Sequence, residues 1–448
     1  MTRVEQAEPM APGHHPAPGE LRLRTGAWYG DYMLTLPIPP SWQLNVFTPN
    51  PGAPLTDAQI AEQLESPVGQ PPLREACRGK ARPIVIVDDL NRPTPAFRVV
   101  PAILRQLLDA GIATQDVGII MAPGTHGAPP PDALVKKVGA AAAGSCRLFV
   151  HDCNRDVVKV GRTSFGTPVL VNKHVAASDF VIGVGGLYPN YTAGFGGGSK
   201  LALGVLGFRS IATLHYGHQS MGWGTPNSRS NFRRDLDEIA HMIGLRTTVS
   251  LLLSGDREVG AVSCGDPQAY YASALRSAQN AVRAPCPDEH ADVVMSNAYP
   301  NDVSLTFVRM KGIGPLARAP LGASRIAIAS CSEGLGFHGL LPFLNAPRYH
   351  SQRMMAIRAR VLLARPRLLA QKIYRRLSNR HGAGPAGRNP IWLYRPDAAD
   401  AARLPAEIPG MRVTSSWDEI VEAVNREQGG REALRALVYS CAPLQCLG

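Results

Sequence analysis

The chain has 448 residues, 45 % hydrophobic and 18 % charged, a balance that excludes a disordered or fibrous protein and leaves material for two or three cores. Its net charge of +12 suits an anionic small molecule, and no run of about 18 apolar residues offers a membrane span. Eight scattered cysteines without a Cys-x-x-Cys pair argue against structural zinc and read as free thiols of a reducing, cytoplasmic setting.

Residues 1–22, whose start is rich in Pro, Ala and Gly, read as a flexible tail without the apolar core of a signal peptide. Pro83 to Val87 is a buried-strand pattern, followed by a proline-rich turn and a periodic helix from Phe97 to Ala110. Val117 to Met121 is a second strand, ending in Pro123-Gly-Thr-His126, with a helix from Pro131 to Val138. Cys146 to Val150 and Phe180 to Val184 are further strands, and 208–220 reads as helical. A second unit starts near Pro285, with strands at 291–296, 326–330 and 391–394 and helices at 353–377 and 417–427; Gly382 to Gly387 reads as a surface loop. The alternation predicts an α/β protein of two α/β domains with mainly parallel sheets, divided as 23–284 and 285–448. Such sheets collect ligands at the carboxyl ends of their strands. Asp88-Asp89, His126, His151 and the loop opening at Gly194 all fall there.

In that loop, Gly196, Gly197 and Gly198 precede Ser199 and Lys200. Its N–H groups suit a phosphate, yet the P-loop order fails because Ser199 comes before the lysine. Lys200 reads either as a point charge for phosphate or as a nucleophile that holds a cofactor covalently. His126 suits general acid/base work, or else caps a helix. His215 and His218 share a helical face, a weak sign of metal binding. Arg92 offers a bidentate anion clamp that Asp89 orients; the alternative is a local ion pair shaping the turn. Lys311 is a second candidate anion binder. The arginine-rich stretch 353–380 reads as a solvated helix face rather than a surface for nucleic acid or membrane.

Eight pieces in collinear order resemble the nickel-dependent lactate racemase family from about residue 22 to 440. They are Asp88–Pro95, Pro123–His126, His151–Cys153, Gly166–Asn172, Pro189–Lys200, Ile211–His215, Tyr299–Gly312 and Ser330–Gly334. The resemblance implies a nickel-pincer nucleotide, a pyridinium-3,5-bisthiocarboxylate mononucleotide linked to Lys200, seated by Asp89, Gly196, Gly197, Gly198 and Ser199. It implies nickel on His215, with His218 as second choice because the alignment needs a deletion at Leu203-Gly-Val205. It implies His126 as acid/base, Arg92 and Lys311 as carboxylate clamps, and an active site in the cleft between the domains, the C-terminal one supplying Lys311. The implied reaction is a racemisation or epimerisation of a small 2-hydroxy acid by hydride transfer, with cofactor-making enzymes as maturation partners.

Two departures stand out. Asn190 occupies the place of the family's second acid/base histidine, and an amide exchanges no proton at neutral pH. Phe307 and Val308 replace a tyrosine and a glutamine that touch substrate. These point to a substrate other than lactate, with Tyr191 or Tyr188 as substitute bases. A one-base redox enzyme and a non-catalytic anion-binding relative are the competing readings.

Overall fold

The computed structural model describes residues 4–5, 19–340, 348–378, 388–396, 404–405 and 407–448. The chain forms two compact units, one of Asn50–Ala281 with Phe337–His381, the other of Met1–Pro49, Val282–Gly336 and Gly382–Gly448.

The larger unit is built on a six-stranded sheet in the order Val259–Gly265, Leu245–Leu253, Phe180–Gly186, Pro83–Asp88, Gly118–Ala122, Arg147–Val150. All neighbours are parallel except the first pair. Pro83–Asp88 and Phe180–Gly186 are buried along their whole length, which is why each reads as a continuous run and not as an alternation. The helix Val100–Asp109 buries Ile103, Leu104 and Leu107. The strand Leu245–Leu253 escaped the sequence reading because Thr247, Thr248 and Ser250 break its apolar run. Those hydroxyls are used inside: Thr248 Oγ1 and Ser250 Oγ lie 2.9 and 2.7 Å from the buried Tyr270 hydroxyl.

The other unit holds a seven-stranded sheet in the order Glu407–Ile408, Met411–Thr414, Ile391–Tyr394, Ser324–Ile328, Val293–Asn297, Leu434–Tyr439, Trp42–Phe47. Both sheets confirm the α/β class with mainly parallel strands.

The units differ from the division at 284/285 in two ways, each with a visible cause. Trp42–Phe47 pairs in parallel with Leu434–Tyr439, so the N-terminal segment completes the C-terminal sheet. Trp417 Nε1 also donates to Pro37 O at 2.7 Å. Conversely, Phe337–His381 returns to the larger unit. The expected tail also ends early: Glu20–Thr25 is a strand paired with Tyr32–Pro37, and Val4–Glu5 pairs with Met33 and Leu34. The loop expected at 382–387 lies outside the described residues.

The single helix expected over 353–377 is two, Arg348–Leu363 and Pro366–Ser378, because a proline opens the second. Their cations reach the end of the helix Phe208–Gly217. Arg365 donates to Gly217 O and to Phe165 O, and Lys372 donates to Tyr216 O at 3.0 Å. Positive charge at a helix C-terminus is stabilising there.

One buried carboxylate organises the smaller unit. Asp302 accepts from Thr25 Oγ1 at 2.9 Å and from the N–H groups of Gly26 and Ala27 at 2.8 and 3.3 Å. Asp302→Ala leaves these donors unpaired and is expected to lower unfolding free energy by about 3 kcal/mol or more. Asp302→Asn, which keeps one acceptor oxygen, costs less. Urea unfolding of the two variants checks the order.

Candidate active site

The strand Pro83–Asp88 ends in two adjacent carboxylates that turn to opposite tasks. Asp88 is held by Lys137 Nζ at 2.8 Å, Thr94 Oγ1 at 2.6 Å and the Tyr188 hydroxyl at 3.3 Å. Lys137, wholly buried on the helix Ala133–Val138, also donates to the carbonyls of Arg92 and Thr94 at 3.0 and 3.1 Å. One ammonium thus fixes both ends of the turn that carries Arg92. Burial lowers the Lys137 pKa, against the opposing pull of Asp88.

Asp89 faces the other way. Its Oδ2 accepts from His126 Nδ1 at 2.9 Å and from Asn91 Nδ2 at 2.7 Å. Burial alone would raise the Asp89 carboxyl, but His126 and Arg92 beside it hold it below the usual carboxylate range. The ionised carboxylate places the His126 proton on Nδ1, which leaves Nε2 as the acceptor nitrogen. Arg92 Nη2 stands 3.4 Å from that Nε2. The arrangement is that of an oriented general base.

Lys200 sits in a 3-10 helical segment, Gly198–Val205, at the end of the glycine loop. Gly197 has φ +74°, and a Cβ there would come 2.6 Å from Ser250 Oγ; Gly198 has φ +56° and a Cβ would come 2.7 Å from Pro267 O. Only glycine passes through this space without displacing its neighbours. The loop's N–H groups are partly spent inside: Gly196 N donates to Tyr188 O at 2.8 Å and Gly198 N to the Tyr270 hydroxyl at 3.1 Å. Its carbonyls face Arg233, buried on the helix Asn231–Met242. That guanidinium donates to Gly197 O at 2.9 Å and Gly196 O at 3.2 Å and lies 4.1 Å from the Tyr271 ring centroid. The loop therefore works as a rigid seat for Lys200. Burial, with Arg92 and Arg233 nearby, lowers the Lys200 amine to about 7. A large neutral fraction at neutral pH makes it nucleophilic.

His215, on the helix Phe208–Gly217, donates from Nδ1 to Ile211 O at 2.8 Å, so its Nε2 carries the lone pair. Burial, with Lys200 and His126 close enough to act on it, lowers its pKa to about 4. It is thus neutral over the physiological range, the form that binds a metal. His218 is committed elsewhere: its Nε2 meets the buried Asp235 Oδ2 at 2.7 Å, and Thr167 Oγ1 holds the same oxygen at 2.7 Å. His151 is a strap, donating to Leu206 O at 2.9 Å and accepting from Asn172 at 3.2 Å.

Arg92, Asp89, His126, Lys200 and His215 thus gather in one unit, at the carboxyl ends of its strands. Phe307, Val308 and Lys311 are buried in the other unit, around a π-helical turn, Val308–Gly312. Asn190 is occupied by backbone, its Oδ1 accepting from Thr192 and Ala193 N at 3.0 and 2.9 Å. Tyr191 is exposed and Tyr188 is turned to Asp88. Sequence reading missed Lys137, Arg233 and His338. The first two carry no local signal beyond a charge in a helix. His338 had one, a histidine between glycines Gly336 and Gly339. Among the described residues, no group of three His, Cys, Asp or Glu side chains stands ready to hold a metal by itself.

These features define an α/β protein in which a lysine with a lowered pKa and two oriented histidines lie in one unit. Residues 29–225 match the lactate racemase N-terminal domain. Curated relatives include lactate racemase of Lactiplantibacillus plantarum, 26 % identical over 287 residues, which are 62 % of this chain and 67 % of that protein. Lactate racemase of Thermoanaerobacterium thermosaccharolyticum is 22 % identical over 289 residues, again 62 % and 67 %. The part of the chain these matches cover is thus similar to lactate racemases. In fold the chain is similar to the lactate racemase apoprotein of T. thermosaccharolyticum, with TM-score 0.66 and 16 % identity over 96 % of this chain and 100 % of that one. A Thermotoga maritima protein gives TM-score 0.54 and 16 % identity over 89 % and 99 % of the two chains.

A pH test follows from Lys200. Its folded pKa of about 7 lies below the ordinary 10.5, so between these values the unfolded chain binds the proton and the folded chain does not. Stability of the cofactor-free protein rises with pH across that window. Lys200→Met is expected to flatten the rise, read by denaturant unfolding at pH 7, 8.5 and 10.

Proposed function

We propose that this chain is a racemase or epimerase of a small 2-hydroxy acid that uses a nickel-pincer nucleotide held on Lys200. The observation that carries the reading is the grouping of three prepared side chains in one unit. They are a lysine amine lowered to about 7, an imidazole with its Nε2 lone pair available as a donor, and a histidine oriented by a carboxylate. The residues fit the group. A neutral amine suits covalent attachment, and one imidazole donor suits a nickel whose other ligands come from the nucleotide's sulfur arms and ring carbon. A cavity of about 560 Å³ adjoins the lysine loop, lined by Ser199, Asp237, Arg229 and Arg234 among others, and the guanidinium groups of Arg229 and Arg234 suit an anionic nucleotide.

When bound, the pyridinium ring supplies a reversible acceptor for hydrogen with its electron pair. The chain's own residues do the rest. His126 Nε2 takes the substrate hydroxyl proton and returns it, while Asp89 keeps the ring oriented and stabilises the imidazolium. Arg92 binds the substrate carboxylate, and Lys311 is the second clamp read from the family pattern. Phe307 and Val308 favour a hydroxy acid with a more apolar substituent than lactate.

A second reading, a one-base redox reaction on the same cofactor, draws support from Asn190. Its side chain is tied to the Thr192 and Ala193 backbone and supplies no second base.

Co-expression with the cofactor-making enzymes is expected to yield a mass adduct on Lys200 together with bound nickel, both lost in Lys200→Ala. Intact-mass and metal analysis that finds an unmodified lysine overturns the reading. His126→Ala is expected to slow racemisation by about 10²–10⁴-fold with the adduct intact. Release of a 2-oxo acid without racemisation would favour the second reading.

A further inference from the structure

The family pattern left His338 without a role. It lies where the chain returns to the larger unit, and two contacts seat it beside the base. Gly339 N donates to Thr125 O at 2.7 Å, and a Cβ on Gly127 would come 3.4 Å from the Phe337 ring. The His338 and His126 ring centroids are consequently 5.1 Å apart, with the planes tilted by 48°. His338 is 8 % exposed.

The two rings are set in opposite tautomers. His126 gives its Nδ1–H to Asp89 and keeps Nε2 as an acceptor. His338 Nδ1 accepts the Leu340 N–H at 3.2 Å, so its neutral ring carries the proton on Nε2. Burial, with His126, His215 and Arg92 around it, holds the His338 imidazole well below its ordinary range and so keeps it neutral.

We infer that His338 donates an Nε2–H hydrogen bond to the reacting oxygen of the substrate, and that His126 and His338 together read one hydroxyl group. This rests on the hydroxy-acid reading above. A secondary hydroxyl has one proton to give and lone pairs to receive. His126 Nε2 accepts the proton and His338 Nε2–H meets a lone pair. With the α-hydrogen and its electron pair going to the hydride acceptor that the proposed cofactor would supply, the C–O bond gains double-bond character and the hydroxyl proton passes to His126; no proton leaves His338, whose N–H remains on the oxygen. A neutral donor of this kind polarises a carbonyl without acting as an acid. His338 therefore differs in kind from the second base that Asn190 lacks.

The test combines a structural and a kinetic readout. In ¹⁵N-histidine spectra of the cofactor-free chain, with His338→Gln identifying the resonance, His338 is expected to carry its proton on Nε2 and His126 on Nδ1. A proton on Nδ1 of His338, or an imidazolium at pH 7, overturns the assignment. In the holoenzyme, His338→Phe is expected to lower kcat by about 10²–10³-fold with a smaller effect on KM. His338→Gln, whose amide N–H reaches the Nε2 position, is expected to restore most of that loss. Equal impairment in both variants, with native melting profiles, overturns the donor role. A wild-type holoenzyme that leaves 2-hydroxy acids unchanged overturns the proposed function instead. Binding to the cofactor-free chain then decides the donor. Preference for a 2-hydroxy acid over the same acid without its hydroxyl, lost in His338→Phe, supports it, and no preference overturns it.

Discussion

The buried contact between Lys137 and Asp88 is the constraint on which the histidine site depends. Asp88 ends the central strand, and Lys137 reaches it from a helix that begins well after the next strand. The same ammonium holds the carbonyls of Arg92 and Thr94. Removing a charge from water is costly, and it is tolerated here because every donor direction of the amine meets an oxygen. With Asp88 anchored inward, the next residue in the extended chain, Asp89, is turned to His126. Structural support and chemical orientation thus come from two carboxylates one residue apart.

A second layer of support surrounds the lysine. Arg233 is fully buried and spends its guanidinium on the carbonyls of the glycine loop and the Tyr271 hydroxyl. Asp237 acts on it only at a distance, and among the described residues Arg233 forms no salt bridge. Its charge acts at a distance by disfavouring the protonated form of Lys200. The loop's mechanical anchor is therefore also an electrostatic device that prepares the amine.

Much of the larger unit was legible because buried parallel strands leave long apolar runs. Pro83–Asp88 and Phe180–Gly186 are such runs, and the residues just beyond their ends are the ones the site uses. The hairpin of Leu245–Leu253 and Val259–Gly265 was not legible, since its buried hydroxyls answer to Tyr270, a residue outside the strand. The units were misread for a related reason. Sequence order says nothing of Trp42–Phe47 joining a strand almost four hundred residues later. Lys200, His126 and His215 were singled out by their place in a motif, and the fold puts them in one unit. His338 was not, because its meaning lies in a hydrogen bond to Leu340 and in a neighbour more than two hundred residues away.

The interleaving of the units bears on the order in which the molecule is completed during synthesis. Residues 50–281 leave the ribosome before Phe337–His381, which brings His338 to the base and Arg365 to the end of the His215 helix. The edge strand Trp42–Phe47 waits longer still, for a partner at Leu434–Tyr439. Neither core closes from local contacts alone, so the nascent chain carries open strand edges until its last segment is made, a stage at which holding factors are most useful.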